Sequence, residues 1–140
     1  IIMLAAMIPI GTALQTTGLS DVISSNISLL AADMSLFWLL FLILIITMAT
    51  TDIINNAATA VIMAPISAGI GLELGYAIEP FLMVVAVGAS CAFLTPIGHQ
   101  CNTVVMGPGN YKFTDYWRLG LPLDILIIAV SIPMILFVWT

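Results

Sequence analysis

In this 140-residue chain 62% of residues are hydrophobic and only 6% are charged, with a mean hydropathy of +1.24, whereas about a quarter of the residues of an ordinary soluble domain carry charge. The net charge of -5 comes from acids scattered singly along the sequence, which builds no patch for nucleic acid or for a membrane surface. Composition therefore excludes an ordinary soluble fold and points to an integral membrane protein.

The chain opens at Ile1 inside an apolar stretch, with no initiator Met and no basic leader. Residues 1–14 are expected to be a transmembrane helix cut short, with more of the protein upstream, and not a signal peptide. Over 18–31, Leu19, Val22, Ile23, Ile27 and Leu30 recur at helical spacing opposite Ser20, Asp21, Ser24, Ser25 and Ser28, the pattern of a helix lying flat in the membrane interface. Asn26-Ile27-Ser28 spells a glycosylation triplet, discounted because a helix flat against lipid is a poor acceptor.

Residues 34–50 are uncharged and of the length that crosses a hydrocarbon core of about 30 Å, which predicts a plain transmembrane helix. Residues 51–72 stay apolar but carry Asn55, Asn56, Pro65, Gly69 and Gly71. Adjacent asparagines are costly at the centre of a spanning helix. A turn at Asn55-Asn56 leaves arms over Thr50–Ile54 and Ala57–Gly71 that are too short to cross, which predicts an outer re-entrant hairpin whose tip is buried in protein or faces water.

Residues 80–107 carry no charge and predict a discontinuous helix. Phe81 to Leu94 reads as clean helix, Thr95-Pro96-Ile97-Gly98-His99-Gln100 breaks it, and Asn102 to Met106 resumes before Gly107-Pro108-Gly109-Asn110 ends it. The closing span, 120–140, places Pro122 in its first turn and Asp124 near the positive end of the helix dipole. The two cations, Lys112 and Arg118, share one loop with Tyr111, Phe113, Tyr116 and Trp117. This resembles an aromatic belt on the cytoplasmic side, so the hairpin enters from outside.

Broken helices carry chemistry. Unwound carbonyls coordinate Na+ or screen a proton, while freed N–H groups and helix N-termini attract an anion. The breaks at Asn55-Asn56 and at Thr95 to Asn102 are separated by one short outer loop and are expected tip to tip as one ion site, which points to secondary transport of an anion. Each residue also has a plainer reading. Asn55 and Asn56 suit capping of two short helices around a kink, His99 suits a hydrogen-bonded interior position as well as a proton carrier, and Asp52 suits hydrogen bonding within the hairpin as well as ion binding. Thr59 donates either into the bundle or to the anion. Asp124 reads as architectural, Met63 and Met106 as packing, and Cys91 and Cys101 as small buried thiols without metal spacing. No Ser/His pair on a nucleophile motif, no HExxH and no paired-Asp motif appears, so an enzyme is not expected. A channel-like membrane subunit is the rival from another class, separated by saturable, ion-dependent uptake.

The segment Thr51-Asp52-Ile53-Ile54-Asn55-Asn56-Ala57-Ala58-Thr59-Ala60-Val61-Ile62-Met63-Ala64-Pro65-Ile66 resembles the outer re-entrant hairpin of the divalent anion:sodium symporter family. Thr95 to Asn102, then Gly107 to Tyr116 and Gly120-Leu121-Pro122-Leu123, resemble that family's unwound helix and closing span, and Pro9 to Leu14 and Thr17-Gly18-Leu19 extend the likeness over essentially the whole chain. The resemblance implies an all-α membrane protein, the second half of an inverted-repeat transporter moving a divalent anion of the sulfate or dicarboxylate class with Na+. It implies a substrate wall of Asn55, Asn56, Ala57, Thr59, His99 and Asn102, and a Na+ site of Asn55, Asn56, Thr95, Ile97, Gly98 and His99. The family's Ser-Asn-Thr tip falls on Asn55, Asn56 and Ala57. Only the central Asn matches, and Ala57 lacks the hydroxyl that would meet a carboxylate or sulfate oxygen. The Asn-Asn-Ala version resembles the branch associated with sulfate and similar oxyanions. Also implied are no organic cofactor, no nucleic-acid partner, a missing N-terminal half of the same protein, a homodimer, and a multi-pass place in the plasma (inner) membrane. An H+-coupled antiporter, or one for arsenite or another anion, is the alternative within the same superfamily. Upstream, a second Asn-bearing hairpin and broken helix of opposite orientation is expected.

Overall fold

The computed structural model describes residues 16–31 and 34–139, together with Pro9, Thr12 and Ala13. Most of the expected truncated helix at 1–14 lies outside these residues. The described residues form helices and no strand: α1 (Leu19–Ala31), α2 (Leu36–Thr51), α3 (Asn56–Glu73), α4 (Glu79–Ala89), α5 (Gln100–Met106), a short 3-10 turn at Phe113–Asp115, and α6 (Tyr116–Trp139).

Helix α4 is the hub. It packs against α2, α3 and α6, while α1 lies along α3. The core is built from Leu39, Leu40, Ile43 and Leu44 of α2, Ile66 and Ile70 of α3, Phe81, Val84 and Val85 of α4, and Ile132 and Ile135 of α6. Small residues let these helices approach. At Gly71 a Cβ would lie 2.9 Å from Phe81 Cδ2, so only glycine admits the fully buried Phe81 ring. Helix α6 with its preceding turn, Phe113–Trp139, is long and apolar enough to cross a membrane, and only 17% of its most apolar window is buried. Phe137, Leu119 and Leu126 point outward, an arrangement that lipid satisfies because its tails are as apolar as leucine.

Several boundaries differ from the sequence reading. Helix α2 runs unbroken to Thr51, so Thr50 and Thr51 are not a separate hairpin arm: α2, the turn and α3 form one helix–turn–helix unit. The continuous apolar run sustains the helical ladder, and the Asp52 N–H still bonds to Met48 O as its C-cap. Helix α4 stops at Ala89, not at Leu94. Its last carbonyls are taken by side chains: Ser90 Oγ donates to Ala86 O at 2.8 Å, Cys91 Sγ to Val87 O at 3.1 Å, and Thr51 Oγ1 to Ala89 O at 2.9 Å. Such side-chain bonds compete with continuation of the helix. Helix α6 starts at Tyr116, which puts Pro122 inside it and not in its first turn. The Lys112 N–H donates to the Asp115 carboxylate at 2.8 Å and fixes the entry turn ahead of the expected start. Ser24, read as part of a polar face, is buried and donates to Glu73 Oε1 at 3.2 Å, because α1 packs along α3 where Gly69 leaves room for it. Cys91 is buried as expected, but Cys101 is exposed, since α5 buries none of its residues.

Replacing Gly71 by Ala is expected to lower the melting temperature of the purified full-length protein, with an overpacking cost of about 1–3 kcal/mol. Adding Phe81→Leu should recover part of the loss; an unchanged melting temperature in Gly71→Ala contradicts this packing.

Candidate functional site

Two non-helical segments meet at one end of α2 and α4. One is the tip, Asp52 to Asn55, between α2 and α3; the other is the break, Ser90 to His99, between α4 and α5. The tip begins where the apolar sequence of α2 gives way to Thr51 and Asp52, both buried. Thr51 Oγ1 donates to Ala89 O at 2.9 Å and lies 2.9 Å from Asn56 Oδ1; a hydroxyl has one proton and serves one acceptor at a time. Asp52, 4% exposed, faces the break. Its Oδ1 accepts the Leu94 N–H at 3.0 Å, and its backbone carbonyl accepts the Thr95 hydroxyl at 2.5 Å.

Gly98 closes the contact. A Cβ there would lie 2.7 Å from Thr51 O, 2.8 Å from Ala92 Cβ and 3.1 Å from Asp52 Cα, so backbone rests on backbone. The break is also tied to itself and to α6. Thr95 Oγ1 accepts the Gly98 N–H at 3.3 Å, Asn102 Nδ2 donates to Ala92 O at 2.8 Å and Thr95 O at 3.2 Å, and Thr103 Oγ1 donates to Pro96 O at 2.6 Å. Tyr116 Oη donates to Asn102 O at 2.7 Å. Behind the break a mostly apolar cavity of about 230 Å³ is lined by Phe93, Asn102, Tyr116, Gly120 and Leu123 among others.

The predicted site residues therefore divide. Asn56, Thr95 and Gly98 meet at the tip through Thr51 and Asp52. Asn55 serves as the N-cap of α3, its side-chain oxygen accepting the Ala58 N–H at 2.9 Å, which is the capping role weighed for it. Ala57 is half-buried beside it. Thr59 is fully buried one turn further into α3. Ile97 is exposed, so only its backbone takes part in the break. His99 is exposed and caps α5, its Nδ1 accepting the Cys101 N–H at 3.2 Å. Asn102 sits at the back of the break, bonded to its carbonyls. Sequence reasoning missed Thr51 and Leu94 entirely. Thr51 carries a weak signal, a hydroxyl closing an apolar run, while a leucine backbone N–H carries none.

The chemistry of the junction is that of oxygen ligands and helix ends. The C-termini of α2 and α4 bring carbonyls and a partial negative charge, and the N-termini of α3 and α5 bring N–H groups and a partial positive charge. Three buried side-chain oxygens, Asp52 Oδ2, Thr59 Oγ1 and Asp124 Oδ1, have no hydrogen-bond partner among the described residues. No cluster of three His, Cys, Asp or Glu side chains occurs among the described residues; the oxygens gathered at this junction are carbonyl, carboxamide, hydroxyl and carboxylate.

Comparison with known proteins places this chain in a family. Residues 1–140 match the family model described as the sodium:sulfate symporter transmembrane region. An uncharacterised transporter of Synechocystis is 38% identical over 135 residues, 96% of this chain and 22% of the relative, and one of Escherichia coli K12 gives the same figures. Sodium/sulfate cotransporter 2 of Chlamydomonas reinhardtii is 29% identical over 129 residues, 91% of this chain and 15% of the relative. The chain spans about a fifth of the length of its first two relatives, and the names are those of transporters, not of enzymes.

Gly98→Ala is expected to destabilise the full-length protein by about 1–3 kcal/mol, since the new methyl meets backbone that has no rotamer to yield. Gly107→Ala, where a Cβ meets nothing within 4 Å, should leave the melting temperature unchanged. Equal melting behaviour of the two variants contradicts the backbone contact.

Proposed function

Because the chain belongs to the sodium:sulfate symporter transmembrane-region family, we propose that it forms part of the second half of a secondary active transporter that moves a divalent anion, of the sulfate or dicarboxylate class, with Na+. The observation that carries this reading is the junction of two backbone interruptions, Asp52 to Asn55 and Ser90 to His99, held together by Asp52, Thr95 and Gly98. Non-helical backbone at membrane depth is tolerated where protein buries it or water reaches it, and such places are the binding sites of transporters.

Helix lengths support a membrane layout. At 1.5 Å per residue the 18 residues of α3 reach about 27 Å and the 16 of α2 about 24 Å, so α2, expected from sequence to be a plain crossing, is instead an arm that stops short of a core of about 30 Å. We read α2, the tip and α3 as the re-entrant hairpin, α4, the break and α5 as the discontinuous helix, and α6 as the closing span. The opposite-facing repeat then belongs to sequence beyond this chain. A multi-pass location in the plasma membrane and a homodimeric assembly are part of the same reading.

In this layout Na+ is cargo, held by backbone carbonyls of Thr95, Ile97 and Gly98 and by the carboxamide oxygens of Asn55 and Asn56. The anion meets the first turn of α3, where the backbone N–H groups around Asn56 and Ala57 and the positive end of the dipole favour negative charge. Ala57 offers no hydroxyl, so recognition there falls to the backbone and to Asn56. The buried Thr59 supports that turn from below, and Asn102 holds the shape of the break that carries the cation. Sulfate as the cargo draws further support from the sodium/sulfate cotransporter named among the relatives. Proton coupling through His99 has less support, because its ring is exposed and its Nδ1 is engaged in capping α5.

The test is uptake by the full-length protein in proteoliposomes. An inward Na+ gradient should drive accumulation of labelled sulfate or succinate, and Asn56→Ala should reduce it roughly tenfold, the effect of losing about 1.4 kcal/mol of binding. Unaltered Na+-driven accumulation by Asn56→Ala would sink the assignment.

A further inference from the structure

We propose that Asp52 is a positioning residue that locks the hairpin tip and the break of the discontinuous helix into one unit, so that an ion engaging one segment finds the other already in place. The proposal rests on the functional reading above for its consequence, but the lock itself stands on geometry. Asp52 reaches across 42 positions of sequence to accept the Leu94 N–H on Oδ1, and its backbone carbonyl accepts the Thr95 hydroxyl across 43. Its Cα forms part of the floor on which Gly98 sits. One residue thus touches the break at Leu94, Thr95 and Gly98.

A carboxylate suits the task. Leu94 lies five residues past the end of α4 at Ala89, where the backbone N–H has no helical acceptor, and a charged acceptor makes the stronger bond to such a group. The tip carbonyl at Asp52 is likewise past the end of α2, and the Thr95 hydroxyl takes it up. Each segment therefore satisfies backbone groups that the other leaves bare. Oδ1 is engaged by the break while Oδ2 has no partner among the described residues, so two roles are separable. If Asp52 positions, what matters is an acceptor at Oδ1; if it ligates an ion directly, what matters is the negative charge.

Asp52→Asn and Asp52→Ala distinguish these roles, because Asn keeps an acceptor oxygen and loses the charge while Ala loses both. Hydrogen–deuterium exchange on the full-length protein in nanodiscs, without substrate, reads the lock directly. The peptide covering residues 90–99 should exchange roughly tenfold faster in Asp52→Ala, about 1.4 kcal/mol of lost protection, and within about threefold of wild type in Asp52→Asn. In Na+-driven uptake, Asp52→Ala should raise half-saturating Na+ roughly tenfold with maximal rate recovered at high Na+, and Asp52→Asn should stay near wild type. Should Asp52→Ala not fold, Thr95→Val, which deletes only the hydroxyl, should still speed exchange of the 90–99 peptide. The proposal is overturned if exchange is unchanged in Asp52→Ala or Thr95→Val, or if Asn and Ala raise half-saturating Na+ equally, the mark of a direct ligand. A wild-type protein without Na+-driven uptake would refute the functional reading alone, since the exchange measurement does not depend on transport.

Discussion

Backbone groups that leave the helical ladder must find partners inside the protein, and in this chain the tip and the break supply part of each other's: Asp52 Oδ1 takes the Leu94 N–H and the Thr95 hydroxyl takes the Asp52 carbonyl. A buried amide group without a partner costs about 1–3 kcal/mol, so a few of them would consume the whole stability of about 5–15 kcal/mol typical of a folded domain. The Ser90–His99 break is viable because Asp52, Thr95, Asn102 and Thr103 supply acceptors and donors to it. The tip is viable because Thr95 and Ala89 return the favour to Asp52 and Thr51.

That mutual satisfaction explains why the helices around the junction are short. Helix α4 ends at Ala89 where Ser90, Cys91 and Thr51 capture its terminal carbonyls, and α2 ends at Thr51 where Asp52 turns toward the break. Packing around α4 sets the other boundary condition. With α2, α3 and α6 all resting on it, the ends of α2 and α4 are brought to the same level, and the helix dipoles converge there. Carbonyl-rich and N–H-rich ends then sit side by side, the electrostatic arrangement that suits an anion and a cation bound together. The Gly98 contact makes this junction stiff, because backbone on backbone has no rotamers through which to relax.

Much was legible in the sequence. Composition declared a membrane protein because apolar content and charge are sums over residues and need no geometry. The existence of two breaks was legible too: Asn55-Asn56, Pro96 and Gly98 are local disruptions, and local disruptions are written in local sequence. Capping by Asn55 followed from the same local rule. The helix end at Ala89 was not legible. Phe81 to Leu94 reads as helix by propensity, and of the side chains that take its last carbonyls Ser90 and Cys91 are local while Thr51 comes from the end of α2.

What the sequence determined alone is therefore the solvent of the fold, lipid, and the places where the backbone must depart from helix, since both follow from residue identity and near neighbours. The meeting of the two departures was expected from their spacing, but only the tertiary structure decided that α2 is itself an arm of the helix–turn–helix unit and that Asp52 serves Leu94 and Thr95. Those outcomes depend on hydrogen bonds across 42 and 43 positions of chain. The partner of a buried amide over such a separation is set by which helices pack together, not by the residues beside it.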